Sequence, residues 1–262
     1  MQSQSRYWLW PNITGIDAAL IAIAWQSIFA MSVGENSSLS AQIVLGLSVW
    51  LSYMADRLYD VRSRPIERLL SLRHRFAKNY RKQIWKIWLI LLALNVAIAL
   101  IGLTIQQLMR GSLLLLFCLA YTFLNQRLSK RCFPKECFVA LLFAGGAIIF
   151  LERTPNLIAV VCFTIICGVN CLILGHKEQA VDHALRVQSL ASIVSEKTLW
   201  ICILCTFALI PFISGTLSWS LSLTLLATSL LYRIRQNRDS ENFRAVLDAS
   251  MLVGLVPWIF KI

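Results

Sequence analysis

The chain has 262 residues, of which 58% are hydrophobic and only 15% charged. An ordinary soluble domain is about a quarter charged, so the composition excludes one. The apolar residues gather in blocks long enough to cross a bilayer, which takes about 20 residues per helix. A net charge of +12 would suit a nucleic-acid binder, but no basic patch interleaved with aromatics stands outside the apolar blocks, so nucleic acid is set aside. Basic loops on one side of a membrane protein account for the charge better.

Nine apolar segments follow one another along the chain. The first, residues 16–33, is too long for a secretory leader, is interrupted by Asp17 and has no small-residue cleavage site before Glu35; it is read as a retained membrane helix. The others are 40–59, 84–103, 112–128, 135–151, 157–174, 199–213, 217–234 and 243–260. Turn residues mark the breaks at Gly34-Glu35-Asn36, Thr154-Pro155-Asn156 and Ser214-Gly215. The expected fold is therefore all-α, a polytopic membrane bundle of nine transmembrane helices forming one domain over 1–262. Six of the eight cysteines lie within apolar blocks, and the Cys202–Cys205 pair encloses Ile and Leu with no second pair, so zinc and redox chemistry are set aside.

Of the 25 Lys and Arg, all but Arg110, Arg153 and Lys261 fall on alternate connections, the same side if there are nine crossings. The positive-inside rule then predicts a multi-pass protein of an inner-membrane type, with its N-terminus cytoplasmic and its C-terminus outside. Trp8, Trp10, Trp85, Trp88, Trp200, Trp219 and Trp258 lie mostly near predicted helix ends, as interfacial anchors do. Two cytoplasmic loops, 60–82 and 175–198, are long and charged.

Each long loop begins at a pair of acids. Asp56 and Asp60 close the second segment, and Glu178 and Asp182 follow the sixth, both at i, i+4 spacing. On a helix such a pair faces one way. Ionisable groups at membrane depth are functional candidates by default. Four carboxylates around one cavity could hold Mg2+ ions, which take hard oxygen ligands together with substrate phosphates. Asp17 and Asp248 could line the same cavity or pair with a neighbouring helix. The stretch Arg73-His74-Arg75-Phe76 could bind phosphate, though a headgroup-facing loop segment is the favoured reading. His176 and His183 read as loop polarity.

The segment from Ser52 to Asp60, followed by Arg64-Pro65, resembles the first aspartate-rich motif of UbiA-type intramembrane prenyltransferases. Glu178 to Asp182, followed by Ser189-Leu190-Ala191, resembles the second, and Tyr121 to Arg127 with Pro134-Lys135-Glu136 resembles the family's tyrosine and lysine region. The resemblance spans nearly the whole chain. It departs at Ser52 and Tyr53, where the family has Asn and Asp, at Glu178 in place of Asp, and at Arg186, where many members carry Gly. It implies a UbiA-like fold and Mg2+ held by Asp56, Asp60, Glu178 and Asp182 as catalytic residues. It also implies diphosphate contacts from Arg64, Tyr121, Arg127 and Lys135.

The implied partners are an isoprenoid diphosphate, a lipophilic acceptor and membrane lipid. The implied reaction is prenyl transfer from a polyprenyl diphosphate to an aromatic or other lipophilic acceptor. A terpene cyclase of the same type, or a non-catalytic lipid-binding or transport protein, would share the fold. Acceptor identity, donor length and oligomeric state leave no motif.

Overall fold

Every one of the nine apolar segments carries an α-helix, and the breaks between them are where the turn residues stand. A computed structural model describes residues 7–62, 64–128, 134–184, 189–235 and 239–260; the side chains of 68, 126, 128 and 182–184 lie outside the described residues. In chain order the helices are α1 (Trp10–Thr14), α2 (Ile16–Ser32), α3 (Leu39–Asp60), α4 (Leu72–Asn79), α5 (Arg81–Gly102), α6 (Ile105–Leu128) and α7 (Lys135–Ile148). They continue with α8 (Leu157–Lys177), α9 (Gln179–Ala184), α10 (Glu196–Leu209), α11 (Thr216–Arg233), α12 (Ser240–Ser250) and α13 (Val256–Phe260). No strand occurs among the described residues.

The starts are chemically specified. Ser38, Asn156, Ser195 and Asp239 accept hydrogen bonds from backbone N–H groups in the first turns of α3, α8, α10 and α12, satisfying donors that a helix start leaves open. Gly15, at φ 75°, ends α1 in the left-handed conformation that glycine adopts without a Cβ clash. The chain turns there by 76° into α2.

The helices present to the outside what a soluble protein would bury. Ile90, Leu116 and Ile101 are 67%, 62% and 88% exposed along α5 and α6, a continuous apolar face that suits lipid. Five helical segments are long and apolar enough to cross a membrane, six if the bent pair α1–α2 counts as one. The protein is thus an integral membrane protein, with five or six candidate spans against the nine expected. Helices α7 and α10 have 14 residues each, about 21 Å at 1.5 Å per residue, against a hydrocarbon core of about 30 Å.

Inside, Trp25 of α2 stacks on Phe163 of α8 with ring centroids 4.1 Å apart, and Phe29 meets the same ring edge-on at 5.5 Å. The last apolar segment is not one smooth helix. A 3-10 turn, Met251–Leu255, joins α12 to α13, and the Trp25 indole N–H donates to the Met251 carbonyl at 3.0 Å. At Gly254 an added Cβ would meet Trp25 Cζ2 at 2.9 Å and Thr224 Oγ1 at 3.0 Å. Trp25 is fully buried and pinned by its hydrogen bond, so it cannot give way. Gly254→Ala is therefore expected to destabilise the fold by about 1–3 kcal/mol, measured as thermal unfolding in detergent; an unchanged midpoint would mean that the turn can shift.

Candidate functional site

The described acids and bases converge at one end of the bundle, where α3 ends, α4 packs and α8 gives way to α9. Asp56 and Asp60 occupy the last turns of one uninterrupted helix, so their i, i+4 spacing does put both on one face. Asp56 is exposed and Asp60 partly so, and each is open to a ligand. Lys135, the first residue of α7, lies within electrostatic reach of both carboxylates, and Tyr121 of α6 lies within reach of Asp56. Tyr121 stacks on Phe138 at 5.9 Å. Arg64 folds back on the α3 terminus: its Nη1 donates to the Asp60 carbonyl at 2.9 Å and stands 3.9 Å from Oδ1. Arg127 is exposed and lies over the Phe123 ring at 4.8 Å.

The second acidic pair is arranged differently. Helix α8 stops at Lys177, and Glu178 is its cap residue at φ −104°, ψ 19°, before α9 begins at Gln179. Glu178 and Asp182 thus do not share one continuous helix, and the i, i+4 argument fails for them. The Asp182 backbone is in α9, but its side chain lies outside the described residues, as does Arg186. The Glu178 carboxylate accepts from Arg244 Nε at 2.8 Å on one oxygen. Its other oxygen accepts from Arg244 Nη2 at 2.5 Å and Arg73 Nη2 at 2.9 Å. Burial by itself would raise this carboxyl, but the two guanidiniums outweigh it and hold Glu178 well below the usual carboxylate range.

A group depressed in this way contributes stability that is fully present above its unfolded value of 4.5 and is lost as pH falls toward its folded value. The thermal midpoint in detergent should carry no contribution from Glu178 titration between pH 8 and 5 and should fall below about pH 4. In Glu178→Gln that acid-limb loss should be smaller; an identical limb would count against the assignment.

Of the two readings of the Arg73 stretch, headgroup-facing or phosphate-binding, the favoured headgroup one does not hold for Arg73, which α4 carries inward onto Glu178. His74, one residue on, is buried with its Nδ1 2.5 Å from Ser71 Oγ. Burial, then the charges of Arg73, Arg57 and Arg244, push His74 down to about 3, so the ring is neutral. Its Nε2 lies 3.6 Å from Asp60 Oδ2, a polar contact rather than an ion pair. His176 sits at the end of α8 with its Nε2 3.0 Å from the Val194 carbonyl.

Three supports of the site were given no role from the sequence. Glu136 is buried and accepts from Ser189 Oγ at 2.8 Å and Leu190 N–H at 3.3 Å, tying down the segment after α9. Arg57 is buried and donates to the carbonyls of Ile13 and Asn12 at 2.7 and 3.0 Å, capping α1. The Asn12 amide then donates to Asp17 at 2.7 Å and Asp248 at 2.8 Å, which it bridges. Arg57 and Arg244 follow no local pattern; charge at membrane depth was the one signal that could have raised them.

Of two cavities, one is lined by acids, and neither by Asp56, Asp60 or Glu178. A small one of about 70 Å³ is lined by Asp17, Tyr53, Asn170, Cys171 and Asp248 among others. A larger apolar groove of about 530 Å³ opens between α2, α3 and α5, and its lining follows α3 from Ile43 to Met54, on the helix face turned away from Asp56. Tyr53, where the resembling motif has Asp, lines the small cavity, and the Arg57 guanidinium lies 5.0 Å from the centre of its ring. Among the described residues no group of three or more His, Cys, Asp or Glu could hold a metal ion by itself. Asp56 and Asp60 are nevertheless hard, accessible oxygen donors on one face, which fits a cation whose remaining ligands come from substrate and water. Glu178 does not fit that role, because its oxygens are already held by guanidiniums.

No protein-family model and no curated relative matches the sequence. Two solved structures share its fold. One is the apo structure of a UbiA homolog from Aeropyrum pernix K1, at TM-score 0.64 and 16% identity over 93% of this chain and 98% of that one. The other is a UbiA homolog from Archaeoglobus fulgidus bound to DMAPP and Mg2+, at TM-score 0.62 and 12% identity over 95% and 98%. The chain has the UbiA-type fold.

Proposed function

We propose that this chain, built on the fold of UbiA homologs, is a Mg2+-dependent membrane prenyltransferase that takes an isoprenoid diphosphate as donor and a lipophilic molecule as acceptor. The observation that carries the reading is the placement of Asp56 and Asp60 on one face of α3 with Lys135 in reach of both. The Archaeoglobus fulgidus homolog, of the same fold, binds DMAPP and Mg2+. The acidic loops would lie on the cytoplasmic side, with the nine helical segments alternating across the membrane.

Asp56 and Asp60 would hold Mg2+, with Asp182 of α9 as a third donor. When bound, the ion neutralises diphosphate charge and favours departure of the diphosphate. Lys135 and Arg64 would bind phosphate oxygens and keep the leaving group oriented, and the Tyr121 ring would face the cationic end of the donor. Arg127 would meet the diphosphate only by leaving the Phe123 ring. The isoprenoid tail would lie among the apolar helices, away from water that would quench an allylic cation.

The test is release of diphosphate from farnesyl or geranylgeranyl diphosphate by purified protein in detergent with Mg2+. Release that needs Mg2+ is expected. No release from any donor length would leave a non-catalytic lipid-binding protein of the same fold. A cyclised hydrocarbon formed without added acceptor would assign the reaction to a cyclase.

A further inference from the structure

Arg73, Glu178 and Arg244 come from three distant parts of the chain: α4 within the first long loop, the turn after α8, and α12. Glu178 is 5% and Arg244 7% exposed. Arg244 grips the carboxylate with a two-pronged fork and Arg73 adds a third charged hydrogen bond. Two positive charges thus face one negative charge. Arg57 is within electrostatic reach of both arginines, while Asp248 acts on Arg73 and Arg244 and Asp17 acts on Arg57.

A carboxylate so engaged is a poor metal ligand. A cation taking its oxygens would displace a guanidinium and strand a buried positive charge, which is strongly unfavourable. The same contacts make the arginines well placed for an anion. Among the described residues Arg73 hydrogen-bonds only through Nη2, which leaves its Nε and Nη1 as donors. Arg73 also acts electrostatically on Asp60, so it stands between the two acidic pairs. A planar guanidinium held in place suits bidentate phosphate recognition.

We infer that Glu178 is not a Mg2+ ligand in this chain but the anchor of a guanidinium clamp, in which Arg73 and Arg244 hold one end of the donor diphosphate without metal. The metal-binding half of the site is then Asp56 and Asp60, and Glu178 is a positioning residue. The inference rests on the proposed function and names how that site divides its work.

Calorimetric binding of inorganic diphosphate to the purified protein, repeated over a range of free Mg2+, tests it. Asp56→Asn should raise the Mg2+ concentration giving half-maximal binding by about tenfold or more. Glu178→Gln should leave it within about twofold. Arg73→Gln should weaken diphosphate binding by about tenfold, the loss of one charged hydrogen bond, and remove the binding that persists in EDTA. Where Glu178→Gln weakens the fold, Glu178→Asp keeps a carboxylate beside the arginines and should likewise leave the Mg2+ midpoint within about twofold. A Glu178 variant that shifts the midpoint as Asp56→Asn does overturns the inference and leaves the function standing. An Arg73 variant with unchanged affinity does the same. Failure of the unaltered protein to bind diphosphate at any Mg2+ level overturns the function, and the clamp with it.

Discussion

Asp56→Ala is expected to lower the rate of diphosphate release by at least about 10²–10³-fold, the range seen when one group that stabilises developing charge is removed. The fold should survive the change. Asp56 sits on an accessible face of α3, and its like-charged neighbour Asp60 is one helical turn away. Removing one of two such charges relieves a repulsion of a few tenths of a kcal/mol. The informative result is therefore a pair of measurements on one sample. Turnover should collapse while the thermal midpoint in detergent stays within a few degrees. Normal turnover would sink the role of the α3 acids, and a collapse of both signals would make the residue structural.

The largest stability effect should come from Arg244→Leu. It removes the two-pronged partner of a buried carboxylate and leaves Glu178 with Arg73 alone. Breaking a buried pair from one side costs about 3–5 kcal/mol, whereas replacing both members by apolar groups is often close to neutral. The double change Arg244→Leu with Glu178→Leu should recover part of the loss, the remainder being the Arg73 charge it leaves without its partner, measured as reversible unfolding in detergent. Equal stability of the single and double variants would show that the pair is not coupled.

The fold was legible where the signal is local. Apolar blocks and turn residues such as Ser214-Gly215 located the nine helical segments, although α6 begins at Ile105, seven residues before the expected start, and takes Arg110 into the helix. Helix breaks inside apolar sequence were not legible. The turn Met251–Leu255 is as hydrophobic as its flanks, and what holds it is the Trp25 indole, 226 residues away along the chain. The site divides in the same way. The Asp56 and Asp60 spacing works because α3 is unbroken through both. The Glu178 and Asp182 spacing does not carry the same argument, because Glu178 stands in the break between α8 and α9. Arg244 and Arg73 meet Glu178 across 66 and 105 residues, and spacing carries no information about such pairs. Asp17 and Asp248, each noted as a cavity or pairing candidate, are joined by an Asn12 amide that no pattern announced.

The five-residue helix α1 would be an obvious piece to trim when shortening a membrane protein for crystallisation. Its last carbonyls, at Asn12 and Ile13, are the acceptors of the Arg57 guanidinium, and Trp10 meets Phe76 of α4 edge-on at 5.8 Å. Cutting the chain before Ile16 would strand a buried cation next to Asp56 and loosen the helix that carries Arg73. An affinity handle should therefore extend the chain ahead of Tyr7, since anything that replaces the segment reaches the acids of α3 from a distance.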